Sequence, residues 1–292
     1  MICIGENINI VSKTLGPAIK NMEKGPIQKL AIKEKEAGMD YLDVNLGPAR
    51  KQGAELMEWL VKTVQEVADL PLLLDTTNVE AIEAGLKIHK GKAIINSISC
   101  KPERMDALFP LVKKYNTGFV GLLLGPEGIP RDGTERGALA AELLAKMADA
   151  GIPEEDVWID PIVLPVSSQQ NQVQGCTEFM KMFRELAPNS KSTCGISNVS
   201  NGTPEKLRPI LNRVYLAMLE KYGMGSAIID AFDQEIIGIA KGEREALKQV
   251  VWKVMEGENL DAEKLSSEEV DYLKTTKVLL GQSLYSDSWL KL

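Results

Sequence analysis

The residues of this chain that can do chemistry are mostly acids and amides, and they come in short bursts. They are Gly5-Glu6-Asn7-Ile8-Asn9, Asp43-Val44-Asn45-Leu46-Gly47-Pro48, Asp75-Thr76-Thr77-Asn78, Asn96-Ser97, Asp160-Pro161, Ser197-Asn198-Val199-Ser200-Asn201 and Asp230-Ala231-Phe232-Asp233. A carboxylate accepts two parallel N–H bonds, and an amide both donates and accepts. Such groups, converging on one place, suit a polar ligand rich in donors and acceptors. The bursts hold no Lys, which argues against Schiff-base chemistry, and no His. The one histidine, His89, stands in "LKIHKGK" and reads as a solvated residue at a helix end. A single His excludes any site built on two or three imidazole ligands. Any one Asp in the bursts serves equally well as a helix cap; seven bursts of the same character are harder to assign to capping.

Each burst follows a short apolar run. The runs are Ile2–Ile4, Tyr41–Val44, Leu72–Leu74, Ala93–Ile95, Phe119–Leu124, Val157–Ile159, Thr193–Ile196 and Ala227–Ile229, of which only the fifth lacks a burst. Runs this short and continuously apolar predict parallel strands covered on both faces. Helical patterns lie between them. In "GAELMEWLVKTVQEVADL" the residues Leu56, Leu60, Val64 and Val67 form one stripe. "PERMDALFPLVKKY" opens on Pro102, "TERGALAAELLAKMADAG" stops on Gly151, and "PEKLRPILNRVYLAMLEKYG" runs from Pro204 to Gly223. Eight strand–helix repeats predict a (β/α)8 TIM barrel, in which chemistry sits at the C-terminal strand ends, where the bursts are. A doubly wound sheet fits less well, because no G-x-G-x-x-G follows the first strand. No linker divides residues 1–292. Residues 243–280, broken near Gly257 and Asn259, predict the last barrel helix plus a helical insertion.

Composition narrows the function further. The 292 residues carry 34 Lys and Arg against 41 Asp and Glu, a net charge of −7, and 44% are hydrophobic. That describes a globular chain poorly suited to nucleic acid, whose phosphates need clustered cations. No apolar stretch approaches the ~20 residues that span a bilayer, and "MICIGENINIVSKTLGP" does not read as a signal peptide. Cys3, Cys100, Cys176 and Cys194 are scattered, which predicts buried free thiols rather than a disulfide or zinc framework. A reducing cytoplasm is the expected compartment.

Clustered carboxylates repel phosphates. They suit Mg²⁺, but amides are as frequent here and no Asp-x-Asp occurs, so no metal is expected. A neutral heterocycle fits better. Pterin is one: its 2-amino and N3–H edge offers two parallel donors to a carboxylate, and its 4-oxo group and ring nitrogens suit Asn.

"GENIN", "LDVNLGP", "LLLDTTN", "AIINSIS", "WIDPIVLP", "GISNVSNG…RPILNR" and the closing "YSDSWLK" together resemble the methyltetrahydrofolate:corrinoid methyltransferases, within the pterin-binding barrel group that includes dihydropteroate synthase. The match runs in order over nearly the whole chain. The resemblance implies a homodimeric (β/α)8 enzyme that moves a methyl group between N5 of tetrahydrofolate and the cobalt of a corrinoid. No cofactor is tightly bound; the cobalamin-type corrinoid is carried by a partner protein, and methyltetrahydrofolate or tetrahydrofolate is the substrate. By the same resemblance, Asp75, Asn96 and Asp160 anchor the pterin, Asn198 reaches N5, Arg208 lies near the p-aminobenzoate, and Asn201 stands where some relatives carry Gln. Glu6, Asp43, Asn45, Gly195 and Ser197 complete the expected folate-binding set. Residues 243–280 contain an insertion relative to the simplest members.

The chemistry asked of these residues is specific. When cobalt takes the methyl group, an amine must leave from N5, and an amide anion is a very poor leaving group. A proton or a strong hydrogen bond must therefore reach N5 by the transition state. Asn198 is expected to supply the hydrogen bond, and by elimination Asp75, Asp160 and Glu6 are the proton relays. Dihydropteroate synthase needs cations for its diphosphate leaving group, whereas "GISNVS" offers neutral residues there. A non-catalytic pterin-binding protein is the remaining alternative, against which the presence of Asn198 counts.

Overall fold

The apolar runs become strands because their backbone N–H and C=O groups find partners only in neighbouring runs. A computed structural model describes residues 1–49 and 51–291. Its strands are β1 (Ile2–Asn9), β2 (Tyr41–Gly47), β3 (Leu72–Thr76), β4 (Ile94–Ser99), β5 (Gly118–Leu122), β6 (Val157–Asp160), β7 (Lys191–Ser192) and β8 (Ser226–Ile229). All pair in parallel in chain order, and β1 also pairs with β8. A Gly195–Ile228 bridge joins the two ends, so the sheet is a (β/α)8 barrel.

The seventh strand departs from expectation. Its ladder is Lys191–Ser192 rather than Thr193–Ile196. Serines take over the pairing here: the Ser192 hydroxyl accepts from Gly225 N–H at 2.9 Å, and the Ser226 hydroxyl donates to Ser192 C=O at 2.7 Å. Thr193 N–H still donates to Ile159 C=O at 3.0 Å, and Cys194 C=O accepts from Ile228 N–H at 2.9 Å. The chain then coils into a 3-10 turn over Ile196–Ser200.

The helices are α1 (Leu15–Lys20), α2 (Lys24–Glu36), α3 (Gly53–Gln65), α4 (Val79–Ile88), α5 (Pro102–Tyr115), α6 (Gly133–Asp149), α7 (Val166–Leu186), α8 (Arg208–Lys221), α9 (Gln234–Ala240), α10 (Glu245–Met255) and α11 (Ser267–Leu279). In α3 the residues Leu56, Leu60 and Val64 are buried, each contributing about 1.5–3 kcal/mol; Val67 lies past the helix end. Pro102 opens α5, and Gly151 and Gly223, at φ +67° and +87°, follow the ends of α6 and α8. The helix expected from Pro204 begins as a 3-10 turn, Glu205–Leu207, before α8. Beyond β8 the chain adds the short α9, which no sequence pattern marks. Helix α10 ends just before Gly257, and α10 and α11 pack on each other and on α8.

His89 is not a free surface residue. It caps α4, and its Nε2 accepts from Leu72 N–H at 3.1 Å while Nδ1 faces Gly91 C=O at 3.3 Å. Burial holds its pKa below the usual value. Leu72 opens β3, whose first N–H needs an acceptor, and the neutral ring supplies it. All four cysteines are buried and unpaired.

Two apolar layers form. The larger lies between strands and helices. The smaller plugs the barrel with Ile4, Leu73, Ile94, Val120, Trp158 and Ile228, closed below by Ile2 and Tyr41. Side chains alternate along a strand, so the inward position two residues beyond each plug residue is set. Those positions are Glu6, Asp75, Asn96, Leu122, Asp160 and Asp230, with Asp43 and Asn45 in step after Tyr41. The barrel thus has an apolar floor and an acid–amide layer directly above it.

Candidate active site

Register brings the layer together. Asn45 stands beside Asp75, which stands beside Asn96. The Asn45 amide donates to Asp75, and the Asn96 amide donates to Asp43 at 2.9 Å. Across the barrel, Asp160 accepts from Ile162 N–H at 2.8 Å. Ile162 holds that position at φ +62°, a strained conformation for a β-branched residue, and the buried Arg136 ties the same loop by donating to Pro161 C=O at 2.7 Å. Burial disfavours the charged form of each acid. It pushes Asp75 and Asp160 up to about 7 and Asp43 well above the usual carboxylate range, with Asp75 adding to the effect. Donors on a bound ring would favour the ionised forms of Asp75 and Asp160. Among the described residues, no three His, Cys, Asp or Glu side chains are arranged to hold a metal.

The β7 turn closes one side of the mouth. Ser197 donates from its hydroxyl to Glu6 at 2.9 Å, and burial pushes Glu6 up to about 7 despite that bond, with Asp230 adding to the rise. Arg208, at the start of α8, donates to the Ser200 hydroxyl at 3.1 Å and to the Asn201 side-chain oxygen at 3.3 Å. Asn201 in turn donates to the Asn198 side-chain oxygen at 3.3 Å. The shorter Asn201 amide therefore reaches its neighbour, and the chain of bonds sets the Asn198 amide with its oxygen occupied and its NH₂ without a partner among the described residues. Asn198 is exposed at the mouth. A Cβ on Gly195 would stand 3.1 Å from that nitrogen, so glycine leaves the amide its room.

Three neighbours carry weight that the sequence alone does not give them. Asn7 donates to Asp230 at 2.9 Å and accepts from Ala231 N–H at 3.0 Å, tying β1 to the end of β8. Behind it lies Glu34 of α2, fully buried, accepting from Asn7 N–H at 3.0 Å. Its other oxygen has no partner among the described residues. Burial pushes Glu34 up to about 8. Gly5 makes this possible, since a Cβ there would stand 2.5 Å from the Glu34 carboxyl. A signal for Glu34 exists in the chain: with Ile27 and Ala31 it occupies the buried stripe of α2, where a charge is out of place. Asp233 and Asn78 are helix caps, for α9 and α4.

Residues 22–230 match the model of the family described as pterin binding enzyme. The chain belongs to the pterin binding enzyme family. It is 28% identical over 240 residues to a methylcorrinoid:tetrahydrofolate methyltransferase of Eubacterium limosum, a match covering 82% of this chain and 88% of the relative. It is 26% identical over 242 residues to the methionine synthase of Mycobacterium tuberculosis, covering 79% of this chain but 20% of that longer protein. Among solved structures, its fold resembles the dihydropteroate synthase of Coxiella burnetii in complex with pteroic acid, with TM-score 0.62, 14% identity, and coverage of 84% and 92% of the two chains.

Proposed function

We propose that this pterin binding enzyme transfers a methyl group between N5 of tetrahydrofolate and the cobalt of a corrinoid carried by a partner protein. The observation that carries the proposal is the Arg208–Asn201–Asn198 chain, which leaves the Asn198 NH₂ without a partner among the described residues, at the mouth beside the Glu6–Ser197 pair. The Eubacterium limosum relative, named for this chemistry, matches over most of both chains and supports it. Residues 1–292 are taken as one pterin-binding unit in which the 243–280 segment braces α8.

Asp75, Asn96 and Asp160 fit a pterin by donor count. The two carboxyls, ionised, accept from the 2-amino and N3–H edge, and the Asn96 amide matches the 4-oxo side. Asp43 and Asn45 hold Asn96 and Asp75 in place through the bonds described above. The apolar plug below keeps these carboxyls dry, so each hydrogen bond counts for more than in water. The corrinoid supplies a nucleophilic cobalt for the methyl carbon. When the C–N5 bond breaks, its electron pair stays on nitrogen. Already in that transition state Asn198 donates a hydrogen bond to N5, and Glu6, through water, supplies the proton. In the reverse direction the same groups take the proton back, so one site serves both directions.

The mouth also suits a broad partner. Val11, Ile129 and Phe232, on the loops after β1, β5 and β8, are exposed, and apolar residues at a rim favour contact with another surface. The β7 turn offers no cation of its own, and Arg208 is engaged in holding that turn, which disfavours diphosphate departure. The test mixes the protein with methyltetrahydrofolate and cob(I)alamin and follows the visible spectrum. Methylcobalamin should form. Folate binding without that change would mean a binding protein instead.

A further inference from the structure

A run of cavities leads away from the mouth over β8 and β1. The first, about 390 Å³, is lined by Glu6, Ser197, Arg208 and Phe232, with the acids Glu205, Asp230 and Asp233 also on its wall. The second, about 490 Å³, shares Phe232 and adds Asn7, Ser12, Lys29 and Lys33. The third, about 770 Å³, shares Ser12 and adds Val11, Lys13, Lys20 and Lys51. None of these five lysines forms an ion pair among the described residues. That contrasts with the other face of α2, where Lys24 pairs with Glu66 at 2.8 Å and Lys35 with Asp69 at 2.5 Å. Lys29 and Lys33 are four residues apart on one helix face, an arrangement of like charges that is unfavourable unless an anion lies between. In a chain of net charge −7, the five lysines of the second and third cavities, whose walls hold no carboxylate among the described residues, form a local reversal of sign beyond the acids of the first.

We propose that this path binds the γ-linked oligoglutamate tail of a polyglutamylated folate. The proposal rests on the folate reading above. A pterin held by Asp75, Asn96 and Asp160, with N5 at Asn198, directs its p-aminobenzoyl side toward Arg208, where the first cavity begins. A tail leaving there carries one carboxylate for each added residue along cavities lined by Lys29 and Lys33, then Lys13, Lys20 and Lys51. Exposed ion pairs are individually weak and screened by salt, so the tail adds affinity through their number.

The test compares 5-methyltetrahydrofolate bearing one glutamate with the form bearing five, by titration calorimetry at low and at about 0.3 M salt, where the screening length is well under 10 Å. The readout is the ratio of the two dissociation constants. We expect the five-glutamate form to bind about tenfold tighter at low salt, the ratio to shrink with salt, and K29Q/K33Q to lose most of it. K24Q/K35Q, which alters the paired lysines of the same helix, should leave the ratio unchanged. Equal affinities in the unmodified protein, with clear one-glutamate binding, would overturn the tail site and leave the folate reading standing. Binding of neither form would overturn both. A ratio preserved in K29Q/K33Q, alongside slower turnover with protein-bound but not free corrinoid, would assign the lysines to an acidic partner surface and also overturn the proposal.

Discussion

Replacing Glu34 by Gln should change how the stability of this protein depends on pH, and the size of the change follows from the structure. Glu34 is fully buried, and burial raises its carboxyl from 4.5 to about 8. The folded protein thus holds this proton more tightly than the unfolded chain does. The resulting stability is present in full below the unfolded value of 4.5 and is lost as pH rises through about 8. Between about pH 5 and pH 7 the unfolded chain is largely ionised at this position and the folded protein is not. The loss over those two units, at about 1.4 kcal/mol each, is about 2–3 kcal/mol. The introduced amide keeps an oxygen for Asn7 N–H but places an NH₂ where the unpartnered carboxyl oxygen now lies, at a pH-independent cost of about 1–3 kcal/mol. E34Q should therefore be less stable than the parent at about pH 5 and should recover about 2–3 kcal/mol relative to it by about pH 7. Urea denaturation of both proteins at about pH 5, 6 and 7, with m-values checked for equality, measures this. Glu6, Asp75 and Asp160 titrate in both proteins, so the gap between the curves reports Glu34. A gap that stays constant with pH would refute the idea that burial keeps Glu34 protonated.

Other outcomes follow from the mouth. Asn198→Ala should slow methyl transfer by about 100- to 1000-fold, the worth of one well-placed transition-state donor, with a much smaller change in folate affinity; equal losses in both would assign Asn198 to ground-state binding. Asp160→Asn should weaken pterin binding and reduce, leaving the share of Asp75, the proton release that calorimetry in buffers of different ionisation enthalpy is expected to detect for the parent near pH 7, where burial places both carboxyls. Light scattering should give a particle of twice the chain mass if the homodimer implied by the resemblance forms; a monomer at micromolar concentration would remove it.

Much of the fold can be read from the chain because barrel strands are buried on both faces and so stand out as unbroken apolar runs. The acid–amide layer is readable for a related reason: Ile4 to Glu6, Leu73 to Asp75, Ile94 to Asn96 and Trp158 to Asp160 each switch from apolar to polar over one inward step. Strand β7 escapes such reading because the serines at 192 and 226 do work usually left to the ladder, and hydroxyl bonding leaves no periodic trace. His89 looks solvated in the sequence because its partner, the Leu72 N–H, lies 17 residues away. The partners of Asn7 and Glu34 are hidden for the same reason: the stripe of α2 marks Glu34 as out of place and the first burst contains Asn7, but the contacts between β1, α2 and β8 that give them their roles lie far apart in the chain. The orientation of Asn198 likewise depends on Arg208, two bonds removed.

The three acids around the mouth raise a question of sign that leads to a last prediction. Asp75 and Asp160 must be ionised to accept from a pterin, whereas Glu6 must be protonated to give a proton to N5. Burial pushes all three to about 7 in the free protein. Ligand separates them. The donor edge of the pterin favours ionised Asp75 and Asp160 and draws them down, while Glu6, buried and next to Asp230, stays up despite the Ser197 bond. Environments that push acids apart in this way assign their roles. Transfer from folate to free cob(I)alamin should then depend on pH as a bell at subsaturating folate, with a rising limb from the aspartates and a falling limb from Glu6. Glu6→Gln keeps an acceptor for the Ser197 hydroxyl and removes the proton. It should lower the rate and erase the falling limb while leaving the rising one. A falling limb that survives the substitution would move the proton source from Glu6 to water.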